Sequence, residues 1–193
     1  MVGNLTIGTN YVHIGVVTFD SSAYLRVKIG QYNETASNQN AILKIPYTHG
    51  GTSTDIALQF VLSQVFVPQA GDRHDAKDVL VVLTDGISGN PENTAKQAYF
   101  FKERHIQVIS VGIGRNTNKQ ELTDMASVPD YVFNVIDFSK LVTLQSTIKA
   151  LACNTDGNIN FIMTYSVIVV SFTQNNRHLT YQNMQFVRKQ INR

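Results

Sequence analysis

The fold of this chain is decided by residues 78–86, which read DVLVVLTDG. Residues 80–83 form a continuous aliphatic run that is too short for a helix. Such a run between polar residues is typical of a strand that is buried on both faces of a parallel sheet. Asp85 follows the strand, and Gly86 lets the chain turn. Ligands of open α/β sheets bind outside the carboxyl ends of the strands, so Asp85 is either a ligand-site residue or a cap for the following turn.

The composition indicates a globular domain. The chain has 193 residues, of which 43% are hydrophobic and 16% charged, and this balance excludes a disordered chain. A net charge of +2 gives no support to nucleic-acid binding. The longest apolar stretch, residues 159–172, contains several polar side chains and is shorter than the roughly 18 residues that a membrane-spanning helix needs. The first residues do not form a signal-peptide pattern.

Strand and helix patterns alternate along the chain. Strands are predicted at residues 11–19, 22–29 (an edge strand), 78–84, 107–111 and 131–135. Helices are predicted at residues 38–45, after the glycine loop at 50–55, at 90–104, from 118 to a stop at 129, and at 139–152. The alternation predicts an α/β fold with a doubly wound, mostly parallel sheet that is flanked by helices.

Two of these helices begin with clear capping signals. Asn90 precedes Pro91 and Glu92, which gives a side-chain cap, a proline in the first turn and an acid near the positive end of the helix dipole. Asn118 is followed three residues later by Glu121, which is the spacing of a capping box.

Five motifs occur in a characteristic order. They are Phe19 after IGVV, GGTST at 50–54, VVLTDG at 81–86, ISVGIG at 109–114 and ELTDMAS at 121–127. Over residues 2–153 this order and spacing resembles the von Willebrand factor A domain, in particular the matrilin and collagen VI type. The resemblance implies a Rossmann-like fold and an extracellular adhesion or matrix module. It also implies a metal ion-dependent adhesion site on top of the sheet.

The resemblance assigns a role to residues at the predicted carboxyl edge. In that family a DxSxS motif, a threonine of the GGT loop and the aspartate of TDG hold a divalent cation such as Mg²⁺. Thr52 and Asp85 match the second and third of these elements, although Thr52 also fits a helix N-cap. Oxygen ligands of this kind suit Mg²⁺. The resemblance further implies that Gly51, Thr52, Asp85, Gly86 and Ser88 contact a partner protein.

The first strand of the family and its DxSxS motif are absent upstream of Asp20. In the family this strand is central and lies between the strands that are predicted here at residues 11–19 and 78–84. Its loss would leave backbone N–H and C=O groups unpaired in the core, at a cost of up to several kcal/mol for each group. Some other segment must therefore fill the gap, or the chain is a fragment that does not fold alone.

Residues 159–193 resemble the missing strand and its helix. The run VIVV at 167–170 is strand-like, and residues 180–187 are similar to the helix that follows the first strand of the family. We therefore predict a strand at 166–172 and a helix at 179–192. Two interpretations stay open: a circularly permuted A domain, or a truncated domain followed by the start of a second repeat.

This alignment changes the expected metal site. Ser171 falls where the family has the aspartate of DxSxS, and Thr173 falls at the next motif position. Asp85 is then the single carboxylate, and a site with one negative charge instead of two should bind divalent cations much less tightly. The sequence therefore predicts a degenerate site in which Mg²⁺ or another divalent cation binds weakly or not at all.

The remaining features bear on location and partners. The chain has one cysteine, Cys153, so it has no internal disulfide, and this residue is free or bonded to another chain, or the region that would pair with it is missing. The sequons at Asn4 and Asn33 allow glycosylation in a secreted protein. No nucleophile–base pair or twin carboxylate is found, so we expect no enzyme. We expect an extracellular module that binds matrix or cell-surface proteins, with a metal-independent structural or assembly unit as the alternative.

Overall fold

A computed structural model describes residues 7–46, 48 and 50–152, together with the backbone of residues 165–172. The predicted helix at 179–192, Thr173, Cys153 and Asn4 lie outside the described residues.

The strands of the described residues form one six-stranded sheet. They are β1 (Val12–Phe19), β2 (Ala23–Val27), β3 (Lys77–Thr84), β4 (Gln107–Ile113), β5 (Val132–Val135) and β6 (Tyr165–Phe172). Their order across the sheet is β2-β1-β6-β3-β4-β5. Only β2, at one edge, is antiparallel to its neighbour, and all other pairs are parallel. The prediction of a doubly wound, mostly parallel α/β sheet is confirmed.

The last strand in the sequence, β6, lies in the middle of the sheet. Residues 165–172 pair in parallel with residues 12–19 of β1, and residues 165–171 pair in parallel with residues 77–83 of β3. The predicted strand at 166–172 therefore lies where the absent first strand would lie. It supplies the backbone partners that β1 and β3 need on their inner sides.

Five α-helices of the described residues flank the sheet. They are α1 (Thr35–Leu43), α2 (Thr54–Gln64), α3 (Pro91–Glu103), α4 (Lys119–Met125) and α5 (Gln145–Ala152). Short 3₁₀ helices are formed by Pro68–Ala70, Pro129–Tyr131 and Phe138–Leu144.

The hydrophobic core lies on both faces of the sheet. In β3, Leu80 and Val82 pack with residues of α2, α3 and α4, whereas Val79 and Val81 pack on the opposite face with residues of α5. All four side chains are buried. The aliphatic run that opened the sequence analysis is therefore a strand covered on both sides, as parallel sheets require.

The predicted Asn90 cap forms, and the predicted capping box at Asn118 forms only in part. The Asn90 side chain accepts a hydrogen bond from the Asn93 amide at 3.1 Å. The Asn118 side chain accepts from the amides of Gln120 and Glu121 at 2.8 and 3.3 Å. The reciprocal half of the capping box does not form, because the Glu121 carboxylate binds the amide of Ser88 instead.

Two helix predictions differ from the structure. Helix α1 begins at Thr35 rather than at Asn38, because the buried Asn38 side chain donates to two backbone carbonyls just upstream and so stabilises an earlier first turn. The predicted helix at 139–152 is α-helical only from Gln145 onward. Its first half is a 3₁₀ helix that contains the adjacent β-branched residues Val142 and Thr143, which disfavour an α-helix.

Val169→Pro tests the central place of β6. Val169 pairs with Val16 on one side and Val81 on the other, and proline cannot donate to a ladder in the middle of a sheet. We expect the free energy of unfolding, measured by urea denaturation, to fall by about 3 kcal/mol or more. Tyr24→Pro, in the edge strand β2, is the matched control and should cost clearly less. Equal losses in the two variants would contradict a central β6.

Candidate functional site

The candidate site lies at the carboxyl edge of the sheet, where three parallel strands end side by side. Strand β6 is the middle one, and its last residues pair with Phe19 of β1 and with Leu83 of β3. The loop after β3 and the loop before α2 meet at this edge, since the Gly89 amide donates to the Thr52 carbonyl at 2.9 Å. The two loops predicted to form the site are therefore joined directly.

Asp85 follows β3 at this edge and is only partly exposed. Its Oδ1 atom is buried and has no hydrogen-bond partner among the described residues. Burial raises the pKa of the Asp85 carboxyl from 3.8 to about 7. The turn after the strand is instead closed by the hydroxyl of Thr84, which contacts the backbone of Gly86. Thr84, rather than Oδ1 of Asp85, therefore closes this turn.

Thr52 lies two residues before α2. The residue at the N-cap position of α2 is Ser53, whose side chain makes no capping bond, and the Ser53 amide donates to the Asp20 carbonyl at 2.9 Å. Thr52 is therefore not the helix cap. Its backbone is fixed by Gly89, and its partly exposed side chain lies in the loop beside the edge of the sheet.

Asp20 supports the glycine loop, a role that the sequence did not indicate. It is 5% exposed, and its Oδ1 accepts the Ser22 amide at 2.9 Å. A Cβ atom added to Gly50 would lie 2.7 Å from the Cβ of Asp20, so only glycine allows this close approach. The Gly51 amide donates to the hydroxyl of Ser21 at 3.0 Å. The position of Asp20 directly after β1 was the only available signal.

Ser88 and Gly86 are buried, although both were predicted to contact a partner. The Ser88 hydroxyl lies 2.7 Å from that of Thr94 and accepts the Asn90 amide at 3.0 Å. These contacts hold the loop from inside. The neighbouring Ile87 is 52% exposed and was not identified from the sequence, because an isolated isoleucine in a loop gives no signal. Gly51 is exposed, as a partner contact requires.

The oxygen donors at this edge suit a hard cation in kind but are few. Ser171 occupies the end of β6, where its backbone pairs with Thr18 and Leu83. Asp85 supplies one buried carboxylate oxygen, and Thr52 supplies a hydroxyl. Nowhere in the described residues do three histidine, cysteine, aspartate or glutamate side chains come together in a way that could hold a metal ion.

Two further observations concern the surface. Asn33, one of the two predicted glycosylation sites, is exposed just before α1. Within the described part of the chain, no helix combines the length and the apolar character that a membrane span needs.

This architecture defines a class of protein: an α/β domain in which loops meet at the carboxyl edge of a mostly parallel central sheet. Residues 1–147 match the family model of the von Willebrand factor type A domain. The chain therefore belongs to the von Willebrand factor type A family, and the resemblance found in the sequence is confirmed.

The relatives include extracellular matrix proteins. The chain is 31% identical over 150 residues to the collagen α-1(XII) chain of Notophthalmus viridescens, which covers 77% of this chain and 16% of that protein. It is 26% identical over 155 residues to matrilin-1 of Mus musculus, and the match covers 79% of this chain and 30% of that protein. The chain thus spans less than a third of either relative.

Solved structures share the fold. Proximal thread matrix protein 1 from the mussel byssus, solved with zinc in its MIDAS motif, has a TM-score of 0.70 and 26% identity, covering 78% of this chain and 37% of that one. The manganese-loaded TRAP protein of Plasmodium vivax has a TM-score of 0.63, and the match covers 74% of this chain and 59% of that one. Its sequence identity of 20% supports the fold alone.

Asp85→Asn should stabilise the protein at neutral and higher pH. The folded-state pKa of about 7 lies above the ordinary 3.8, so the protein loses stability as the pH rises from about 4 to about 7, and the loss levels off above the folded-state pKa. Because the group is partly solvated, we expect a gain of only about 1–2 kcal/mol at pH 8. At pH 4 the two proteins should be almost equally stable.

The comparison uses urea denaturation at pH 4 and pH 8 in buffer that contains a chelator. Asp130→Asn, at an exposed position, is the control. We expect its effect on the free energy of unfolding to be the same at pH 4 and pH 8. A pH-independent effect of Asp85→Asn would contradict the prediction.

Proposed function

We propose that this chain is an extracellular interaction module that binds matrix or cell-surface proteins through the face around Gly51, Thr52, Asp85 and the loop 86–90. The observation that carries the proposal is Oδ1 of Asp85, which is buried and has no hydrogen-bond partner among the described residues, at the edge where the two loops meet. An unpaired buried oxygen is costly, and such atoms are concentrated at functional sites. Membership in a family with collagen and matrilin relatives supports a role in the matrix. The proposed role is binding, without catalysis.

The proposal includes a degenerate divalent site. Thr52 and Asp85, with Ser171 and Thr173 at the DxSxS position, are the residues that would hold Mg²⁺ or a similar cation. A bound cation of this kind can accept a carboxylate oxygen in place of a water molecule. One carboxylate gives a weaker site than two, and a carboxyl whose pKa is about 7 must also release its proton before it binds a cation.

Calorimetric titration with MgCl₂ at pH 7.5 tests the degenerate site directly. We expect weak binding, with a dissociation constant of about 1 mM or higher, as in low-affinity extracellular cation sites. Binding should strengthen as the pH rises, because Asp85 loses its proton. Tight, stoichiometric binding would refute the degenerate site.

The alternative is a structural or assembly unit that needs no metal. It is favoured by the same Asp85, since a carboxyl with a pKa of about 7 is neutral in about half of the molecules at pH 7 and can then remain buried without a cation. In both versions β6 completes the sheet between β1 and β3. This position of β6 supports a permuted domain made of residues 2–153 and 159–193, and the start of a second repeat is the alternative. An exposed Asn33 that carries a glycan and an intermolecular disulfide through Cys153 would fit either version.

Binding to purified, immobilised matrix proteins, with collagens included, separates the two versions. We expect the chain to bind at least one of them, and we expect Mg²⁺ at millimolar concentration to strengthen the binding. Chelation and Asp85→Ala should each lower the affinity about tenfold, the loss typical of one interfacial hot spot.

Lys96→Ala, at an exposed position of α3, is the control and should bind like the natural chain. An affinity that is unchanged by chelation and by Asp85→Ala would favour the metal-independent unit. Failure to bind any matrix protein would contradict the interaction module.

A further inference from the structure

Glu121 is a charged residue in an unusual place. It lies in α4, is only 5% exposed, and its two carboxylate oxygens lie 3.2 and 3.1 Å from the amide nitrogen of Ser88. Burial raises the pKa of this carboxyl, while the Ser88 amide lowers it. A buried carboxylate is costly unless it is hydrogen-bonded, and glutamates are rarely buried without a specific partner.

The partner of Glu121 is not its own helix. In a capping box the carboxylate would accept the amide of Asn118, but here it crosses to the loop between β3 and α3. Asn118 still caps α4 with its own side chain. Helix capping therefore does not explain why a glutamate occupies position 121.

From Ser88 a chain of hydrogen bonds continues to the candidate site. The next amide along the loop, that of Gly89, donates to the carbonyl of Thr52 at 2.9 Å. The following residue of the Thr52 loop, Ser53, donates in turn to Asp20 at the end of β1. Glu121 thus lies at one end of a path that runs through the Ser88 and Gly89 amides to Thr52.

Helix α4, which contains Glu121, is packed closely against β4. The hydroxyl of Ser110, in β4, donates to the backbone carbonyl of Leu122 at 2.7 Å and is fully buried. A Cβ atom added to Gly112 would lie 2.7 Å from Cδ1 of Leu122, so the helix packs directly on the strand. The carboxylate is therefore held by the sheet and can in turn hold the loop.

We propose that Glu121 is a positioning residue for the binding face: its carboxylate fixes the backbone of residues 86–90 and, through the bond between Gly89 and Thr52, the position of Thr52 in the loop before α2. This inference rests on the proposed function only in its consequence for partner binding. The effect on the loop itself is independent of any partner. Neither the charge pattern nor helix capping explains the glutamate of the ELTDMAS motif. The contact with the Ser88 amide gives it a function.

Amide hydrogen exchange of the full chain, read by NMR, tests the position of the loop. In Glu121→Ala we expect the Ser88 and Gly89 amides to exchange about tenfold faster or more, because local opening of the loop is no longer opposed. The Ser53 amide, which is bonded to Asp20, should change least. Glu121→Gln should lie between the natural chain and Glu121→Ala, since its amide oxygen still accepts one bond without the charge.

Ser110→Ala is the matched control. It removes one buried hydrogen bond from the same helix without touching the loop. We expect it to lower global stability about as much as Glu121→Gln does, with no selective increase of exchange at Ser88 and Gly89. If Glu121→Ala does not fold, the comparison between Glu121→Gln and Ser110→Ala decides the question.

Partner binding is then measured on the matrix protein that the chain binds. We expect about a fivefold or greater loss of affinity in Glu121→Ala and little loss in Ser110→Ala. Equal exchange rates at Ser88 and Gly89 in the glutamate and serine variants would overturn the inference. A natural chain that binds no matrix protein would contradict the proposed function, whereas the exchange rates would still decide the role of Glu121.

Discussion

The structure depends on the pairing of two buried strands with a third. Strands β1 and β3 are buried on both faces, so neither water nor a side chain can satisfy the backbone groups on their inner sides. Strand β6 lies between them and pairs with both along almost their whole lengths. The layers of helices can cover the sheet only because these ladders make it continuous.

The same pairing determines the chemistry of the carboxyl edge. Because β6 is central, the residues that end it lie between the loop of Asp85 and the end of β1. In this chain that place is occupied by Ser171, which brings no charge. Oδ1 of Asp85 is buried and has no hydrogen-bond partner among the described residues, and burial favours the neutral form of this carboxyl. The proposed weak cation site and its metal-independent alternative both rest on this single carboxylate.

Much of the fold could be predicted because its signals are local. The aliphatic run of β3 and the Asn90 cap of α3 depend on neighbours within a few residues, and the structure agrees with both. The predictions failed where distant contacts decide the outcome. Glu121 has the spacing of a capping box, yet its carboxylate binds an amide 33 residues away, and a spacing rule cannot represent that contact.

The same distinction holds for the candidate site: some of its residues could be predicted from the sequence, and others could not. Thr52 and Asp85 could be found because each belongs to a short motif, GGT and TDG, at a predicted loop. The internal contacts of Ser88, the support that Asp20 gives to Gly50 and the exposure of Ile87 could not be found. Each of these depends on which loops meet at the edge, and this is set by the order of the strands.

Local sequence patterns were enough to predict the alternation of strands and helices and, through the order of the motifs, the family. The family resemblance in turn predicted a strand between β1 and β3 and a shortage of carboxylates at the edge. The tertiary structure was needed to show that β6 fills the gap in parallel register, that Oδ1 of Asp85 is buried without a partner among the described residues, and that the Glu121 carboxylate of α4 contacts the loop of the site. Burial and long-range hydrogen bonds arise when segments far apart in the chain are packed together, and no local pattern contains that information.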